Sequence, residues 1–341
     1  HPPPGFAALK QVPDAQTYAR MRQAAVAIFR RSPTLPSLLR QEGYVSFQSG
    51  KHWEGTFRDG GFDEGMTLDT ACFDQPWNLQ LPDGAWVAHG NGDAGLVIGR
   101  ETLDPVFAFI DRNVSRPFLL WYAPVLPHEP HDAPQRYRQP FEDNPRVPSH
   151  RIGYYANILW FDETVGQLLE YLDKKGLASN TLFVFVSDNG WATEQGSPDE
   201  DVRSKRSPFE RGVRTPILLR WEGVVKPATH MGLVSSVDLV PTMLAAAGVE
   251  PASLGLPGVD LLPSARGDVP LDPARAVFGE IYPGDASVLN HPERDLAYRW
   301  VRQGTIKLIV PHPDASGKAW SDYLSEESLF DLEKDPEELR N

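Results

Sequence analysis

The sequence predicts an α/β fold, with a largely parallel central sheet sandwiched by helices and a small antiparallel subdomain at the C-terminal end. Three observations carry that expectation. First, PFLLWYAPV (117–125), TLFVFV (181–186) and TPILLRW (215–221) are short apolar runs of the kind found in strands buried on both faces of a parallel sheet. Second, RIGYYANILWFDETVGQLLEYLDKKG (151–176) places Tyr155, Ile158, Leu159, Val165, Leu168, Leu169 and Leu172 at three- and four-residue spacing, with Gly176 as a cap. Third, the texture from about residue 276 turns to short alternating strands in AVFGEIY, LAYRWVRQGTIKLIV and ESLFDLEKD, one pair joined through Gln303-Gly304. The expected division is 1–270 for the α/β domain and 271–341 for the antiparallel subdomain.

The remaining elements follow in order. Residues 1–33 are Pro-rich and then helical in pattern (DAQTYARMRQAAVAIFRR), and TLPSLLRQEGY is a short amphipathic helix that Gly43 stops. A strand at YVSFQ leads into SGKHWEG. Residues 56–100, rich in Gly, Asp and Trp, read as long functional loops, as does 191–206. ETLDPVFAFIDRN and VSSVDLVPTMLAAAGV (234–249) read as helices, and Asp162 on the long helix as a structural hydrogen-bonding residue. Strands 117–122, 181–187 and 215–220 are expected as neighbours or near-neighbours in one sheet.

Composition narrows the class of function. At 341 residues, 41% hydrophobic and 23% charged, the chain is that of a globular protein with a large core. No apolar stretch is long enough for a membrane-spanning helix. The net charge of −13 argues against nucleic acid or an anionic membrane as the main partner, although a local cluster of cations can still reverse the field inside one pocket. Cys72 is the single cysteine, which excludes an intrachain disulfide and a multi-cysteine metal site; it reads as a small apolar filler. The first residues, HPPPGF, contain neither an initiating Met nor a signal segment, so a leader has been removed or the chain is a piece of something longer.

Polar residues gather where the strands end. Asp188-Asn189-Gly190 follows one strand, and it is either a turn or a pair of ligands for a hard metal. His128 follows another strand in PHEPH, Lys51 follows YVSFQ, and Lys205 lies in RSKRSPFERGVRTP just ahead of a third strand. The carboxyl ends of parallel strands share one edge, where such folds place their ligands. Two lysines, a histidine and a cation suit a tetrahedral oxyanion: the ammoniums and the cation offset charge, and His can protonate a leaving oxygen.

The ordered series TLPSLLRQEGY, SGKHWEG, GGFDEGMT, WYAPVLPHEPH, WFDETVGQLLEYLDKKGLASNTLFVFVSDNGW, K-x-x-x-x-E-x-G-V-R-T-P, SSVDLVPTMLAAAG and LFDLEKDPEELRN resembles the sulfatases of the alkaline-phosphatase-like superfamily over nearly the whole chain. The resemblance implies that Lys51 and Lys205 bind sulfate, that His128 rather than His131 contacts it, and that Asp188 and Asn189 ligate calcium. It implies an alkaline-phosphatase-like fold whose small antiparallel subdomain closes the cleft. The implied substrate is a small-molecule or glycan sulfate ester, and the implied compartment periplasmic or secreted. Two departures stand out. Many sulfatases read G-K-W-H, whereas here the order is Gly50-Lys51-His52-Trp53, which leaves His52 as a substrate-binding candidate. Arg211 stands where the family has a glycine, narrowing the pocket or lining its rim.

The family's formylglycine, made from a Cys or Ser in a C/S-x-P/A-x-R setting, and its paired aspartates both belong upstream of TLPSLL. Neither pattern occurs in residues 1–33, and Ser32, Ser37 and Cys72 sit in the wrong context. This chain alone is therefore expected to be inactive and weak in calcium binding. Two other readings remain: a phosphate or phosphonate ester hydrolase of the same superfamily, which a Thr nucleophile would indicate, and a non-catalytic relative that binds sulfated glycans. Trp53, Trp86 and Trp191 could stack on a sugar or fill small cores of their own.

Overall fold

A computed structural model describes residues 14–52, 55–68, 79–80, 83–84, 86–87, 97–191, 203–282, 291–313 and 324–340. The chain divides into two compact units, one spanning Val12–Asn180 and the other built from Thr181–Asn341.

In the first unit, helix α1 (Ala15–Phe29) starts where Asp14 accepts a hydrogen bond from the Thr17 N–H at 2.7 Å. Helix α2 (Leu35–Gln41) begins with a reciprocal capping box between Thr34 and Ser37 and carries Pro36 in its first turn. Gly43, at φ 82°, turns the chain into strand β1 (Val45–Gly50). Then follow the two-residue strands β2 (Glu64–Gly65), β3 (Leu79–Gln80) and β4 (Trp86–Val87), the last two an antiparallel pair. Helix α3 (Asp104–Asn113) leads to β5 (Phe118–Ala123), which lies parallel to β1 with Val45 opposite Phe118 and Gly50 opposite Ala123. The sheet order is β2-β1-β5, all parallel, and α3 serves as the crossover that parallel strands require. Phe47 stacks on Phe109 of α3, which meets Phe118 of β5 edge-on, so sheet and helix share one apolar seam with Val106 and Ile110.

Helices α4 (Gln135–Glu142) and α5 (Ile152–Lys174) complete this unit. The face α5 buries consists of Ala156, Asn157, Thr164, Leu168 and Leu172, while Ile158 and Asp162 are exposed. The long helix is where the spacing predicts it, but its inner stripe includes two polar residues that apolar periodicity passes over.

In the second unit, β6 (Phe183–Val186) and β7 (Ile217–Arg220) pair antiparallel, with Phe183 opposite Arg220 and Val186 opposite Ile217. Between them lies the four-residue helix α6 (Glu210–Val213). Helices α7 (Leu239–Ala246) and α8 (Leu262–Arg266) follow. Strands β8 (Ala276–Ile281), β9 (Tyr298–Gln303), β10 (Ile306–Pro311) and β11 (Ser328–Asp331) form an antiparallel sheet in the order β11-β10-β9-β8. Gly304, at φ 56°, makes the tight β9–β10 turn, and Phe209 packs into the core of Ile281, Ala297, Tyr298, Ile309 and Phe330.

The α/β class holds, with a parallel sheet and a separate antiparallel one. Strand pairing differs from expectation in one respect. Strands 117–122, 181–187 and 215–220 do not share a sheet: β5 hydrogen-bonds to β1, while β6 and β7 hydrogen-bond to each other and run antiparallel. Nor is β6 buried on both faces, since a two-stranded ribbon leaves each strand an edge and part of a face uncovered.

Candidate functional site

Within the first unit, two loops leave neighbouring strand ends. Lys51 follows β1 directly. Its N–H donates to the Ala123 carbonyl at 2.5 Å, and its own carbonyl accepts from the Trp121 indole at 3.0 Å. Gly50 permits this approach: its φ is 77°, and any Cβ there would collide with the Ala123 carbonyl oxygen. The Lys51 backbone is thus fixed at the strand end while its half-buried side chain stays available.

His52 goes elsewhere. Its ring meets Phe62 edge-on at 5.9 Å and Phe29 at 6.4 Å, and Gly60 lies against it so closely that a Cβ would overlap the imidazole. Burial lowers its pKa, opposed by a hydrogen bond to the Thr56 backbone and by the charge of Asp59. The exchanged order of His and Trp after Lys51 therefore sends His52 into packing. Asp59 in turn accepts from the Thr56 N–H at 2.7 Å and pairs with Arg30 at 2.5 Å, closing the 55–62 loop on itself.

His128 follows β5 on a segment with cis peptide bonds at Leu126-Pro127 and Glu129-Pro130. Its N–H donates to the Val125 carbonyl at 2.8 Å, and its Nδ1 lies 3.2 Å from the Glu129 carbonyl oxygen. The main clamp is Asn157 on α5. Wholly buried, its Nδ2 lies 3.4, 3.3 and 3.1 Å from the carbonyl oxygens of Pro127, His128 and Pro130. Arg100 adds bonds to the His128 and Pro130 carbonyls and an ion pair with Asp132. Tyr122 is held by a 2.7 Å bond to Thr164, and burial pushes its phenol up to about 12. His131 packs at 5.8 Å from Tyr154 against Gly153. Asn157 and Arg100 are absent from the expected site residues. The available signal was a carboxamide on the core face of a helix, since a buried amide must find partners.

In the second unit, Asp188 and Asn189 occupy the loop after β6. Asp188 is exposed, with one carboxylate oxygen accepting the Asn189 N–H at 2.9 Å; the Asn189 side chain donates to the Gly190 carbonyl at 2.9 Å. Gly190 is pressed against the Arg211 carbonyl where no Cβ fits, and its N–H donates to Gly212 at 3.0 Å. The Lys205 N–H donates to the Trp191 carbonyl at 3.3 Å. Asp188, Asn189 and Lys205 thus ride on two loops hydrogen-bonded to each other. Arg211 points to the surface and pairs with Glu337. Trp53 and Cys72 lie outside the described residues, as does the Trp86 side chain.

Asp188 and Asn189 offer the hard oxygen donors that calcium prefers. Among the described residues no group of three or more acidic or histidine side chains gathers around an ion-sized space. The pair thus fits calcium in ligand type and supplies part of the six to eight oxygens such an ion takes. No described helix is long and apolar enough to cross a membrane.

Comparison with known proteins shows the family of the chain. The family model Sulfatase covers residues 6–249. Choline-sulfatase of Rhizobium meliloti (strain 1021) is 27% identical over 369 residues, covering 91% of this chain and 67% of the relative. Human arylsulfatase A is 30% identical over 245 residues, covering 67% of this chain and 44% of the relative. N-acetylglucosamine-6-O-sulfatase of Bacteroides thetaiotaomicron is 32% identical over 194 residues, or 55% of this chain and 31% of the relative. The chain spans 28–67% of the length of these and the other first curated relatives it matches. Among solved structures, BT4656 in complex with D-glucosamine-2-N,6-O-disulfate superposes with a TM-score of 0.66 at 21% identity, covering 100% of this chain and 83% of that one. The PsFucS1 sulfatase of Pseudoalteromonas sp. does so with a TM-score of 0.61 at 20% identity, covering 92% and 69%. With more than half of its length matched by the family model, the chain belongs to the sulfatase family.

Proposed function

We propose that this chain carries the sulfate-recognition residues of a sulfuric ester hydrolase whose substrate is an organic sulfate ester, with sulfated carbohydrates the favoured class. The observation that carries this reading is the fixing of Lys51 at the end of β1, where Gly50 alone allows the close approach to Ala123. An ammonium whose backbone is anchored is suited to a tetrahedral oxyanion, since only its side chain remains to be ordered when the ligand arrives. Lys205 is assigned the same charge-offsetting role. His128, on a loop held by Asn157, donates a hydrogen bond or proton to the departing ester oxygen. His52 enters the substrate-binding set only as a packing partner of the loop after Lys51. Asp188 and Asn189 would hold a calcium ion, which when bound supplies further charge to the sulfate oxygens. The carbohydrate preference is supported by the N-acetylglucosamine-6-O-sulfatase relative.

The attacking group of this reaction is assigned to a formylglycine outside the residues described. The test is hydrolysis of 4-methylumbelliferyl sulfate and 4-methylumbelliferyl phosphate by the 341-residue chain and by the complete product of its gene, with and without calcium. The proposal expects sulfatase turnover by the gene product, abolished by Lys51→Ala, and none by the 341-residue chain. Preferential phosphatase turnover would replace the reaction class. Complete inertness toward a broad panel of sulfate esters, with retained binding, would favour a sulfated-glycan-binding protein.

A further inference from the structure

A buried charge cluster within the Thr181–Asn341 unit lies outside the set of residues assigned to sulfate. The side chain of Lys307, on β10, is wholly buried, with Nζ 3.0 Å from Glu210 Oε1 and 2.9 Å from Glu338 Oε1. It also sits 5.4 Å from the centre of the Trp300 ring. Arg302 pairs with Glu210 Oε2 at 2.6 Å. Glu338 accepts the Glu210 backbone N–H at 2.5 Å and has a left-handed backbone, φ 54°, which is uncommon for a residue with a side chain. Two cations offset two carboxylates in charge, while Glu338 Oε1, ion-paired with Lys307, makes no hydrogen bond and burial pushes the Glu338 carboxyl up.

The cluster acts on α6. A single four-residue turn has no stability of its own, because helix nucleation is unfavourable. Lys307 and Glu338 fasten it by both the side chain and the backbone of its first residue, Glu210. From α6 the path to the candidate residues is short. Gly212 accepts the Gly190 N–H at 3.0 Å, and Arg211 fills the space where a Gly190 Cβ would stand. On its other side Gly212 is packed so tightly that a Cβ would lie 2.5 Å from the Ser204 carbonyl and 2.6 Å from that of Ser207. Trp191, one residue beyond Gly190, accepts the Lys205 N–H. Displacing α6 would therefore displace both loops.

We propose that Lys307 and Glu338 are positioning residues: through Glu210 and α6 they set the Asp188–Asn189 loop against the loop bearing Lys205. The effect on a ligand rests on the sulfate reading given above; the effect on the loops stands apart from it.

The experiment compares wild type with a Lys307→Met/Glu338→Gln double variant, which leaves Glu210 paired with Arg302 and no lone buried charge. Ile281→Val, in the same core but away from the cluster, serves as the stability control. Amide hydrogen exchange is followed in peptides covering 188–191 and 203–213, and affinity for 4-methylumbelliferyl sulfate is measured by titration. The double variant should exchange at least tenfold faster in those two peptides and bind at least fivefold more weakly, while Ile281→Val changes neither. Unchanged exchange in those peptides, or an equal rise in Ile281→Val, overturns the proposal. Faster exchange with unaltered affinity upholds the positioning role and removes Lys205 from the sulfate reading instead. Should the double variant fail to fold, Glu338→Gln alone, which keeps an acceptor for the Glu210 N–H, is read in the same way.

Discussion

Strands β1 and β6 invert what their residues suggest. VSFQSG contains Ser46, Gln48 and Ser49 and is buried at every position, whereas FVFV is wholly apolar yet only partly covered, with Val186 41% exposed. The difference lies in their neighbours. Strand β1 has β2 on one side and β5 on the other, while among the described residues β6 hydrogen-bonds to β7 alone. Burial therefore follows position in the sheet, and composition follows what that position must accommodate. In β1 each polar group has a partner: Ser46 Oγ donates to Asp63 at 2.8 Å, Ser49 Oγ to the Trp121 carbonyl at 2.8 Å, and Gln48 Nε2 to the Gly50 carbonyl at 2.7 Å. Gln48 Oε1 accepts the N–H groups of Met66 and Thr67 at 3.2 and 3.0 Å. The polar centre of this strand ties the 64–67 segment to the strand that presents Lys51.

The comparison breaks most readily at Gln48. Gln48→Met keeps the shape but takes from the buried Thr67 N–H its acceptor, at about 1–3 kcal/mol. The Met66 N–H keeps the Gln48 backbone carbonyl at 3.0 Å, and the Gly50 carbonyl keeps the Thr67 hydroxyl at 3.3 Å. An overall loss of about 1–3 kcal/mol is expected in urea unfolding; a loss well below about 1 kcal/mol would mean the network is dispensable.

His52 gives an intermediate effect. Burial holds its folded pKa below the ordinary 6.5, so above that value both states are neutral and its contribution is full. As pH falls below 6.5 the unfolded chain takes up a proton that the folded chain resists, and stability drops toward the folded pKa. His52→Leu should flatten the decline in Tm between about pH 7 and pH 5. An unchanged slope would place the histidine in solvent and restore it as a ligand-facing candidate. The smallest effect belongs to β6: Val186→Thr should alter stability by less than about 0.5 kcal/mol, as for an ordinary surface position. A loss several times larger would show that the exposed flank of β6 is covered in solution.

Much of this was legible from the sequence. The long helix shows its 3.6-residue periodicity, and the β9–β10 hairpin announces itself through alternation around a glycine. The placement of Lys51 after a strand was equally readable, because it directly follows the run YVSFQ. Strand partnership was not. An apolar run such as TLFVFV carries no record of how many neighbours it will have, and the parallel reading of 181–187 with 215–220 failed for that reason. Asn157, Gln48 and Lys307 were missed because each is a polar residue inside, and its role depends on partners 18 to 97 positions away. His52 was visible as a departure from the family order, but its destination against Phe29, Phe62 and Gly60 required the fold.

The central claim is that Lys51 and Lys205 recognise a sulfate ester. Its most direct test is equilibrium titration of the chain with 4-methylumbelliferyl sulfate, for wild type, Lys51→Ala and Lys205→Ala, with Tm measured alongside. Each lysine change should weaken binding at least tenfold, about 1.4 kcal/mol, while Tm moves by no more than a few degrees. Affinity unchanged in both variants, or a loss that merely tracks a fall in Tm, would contradict it.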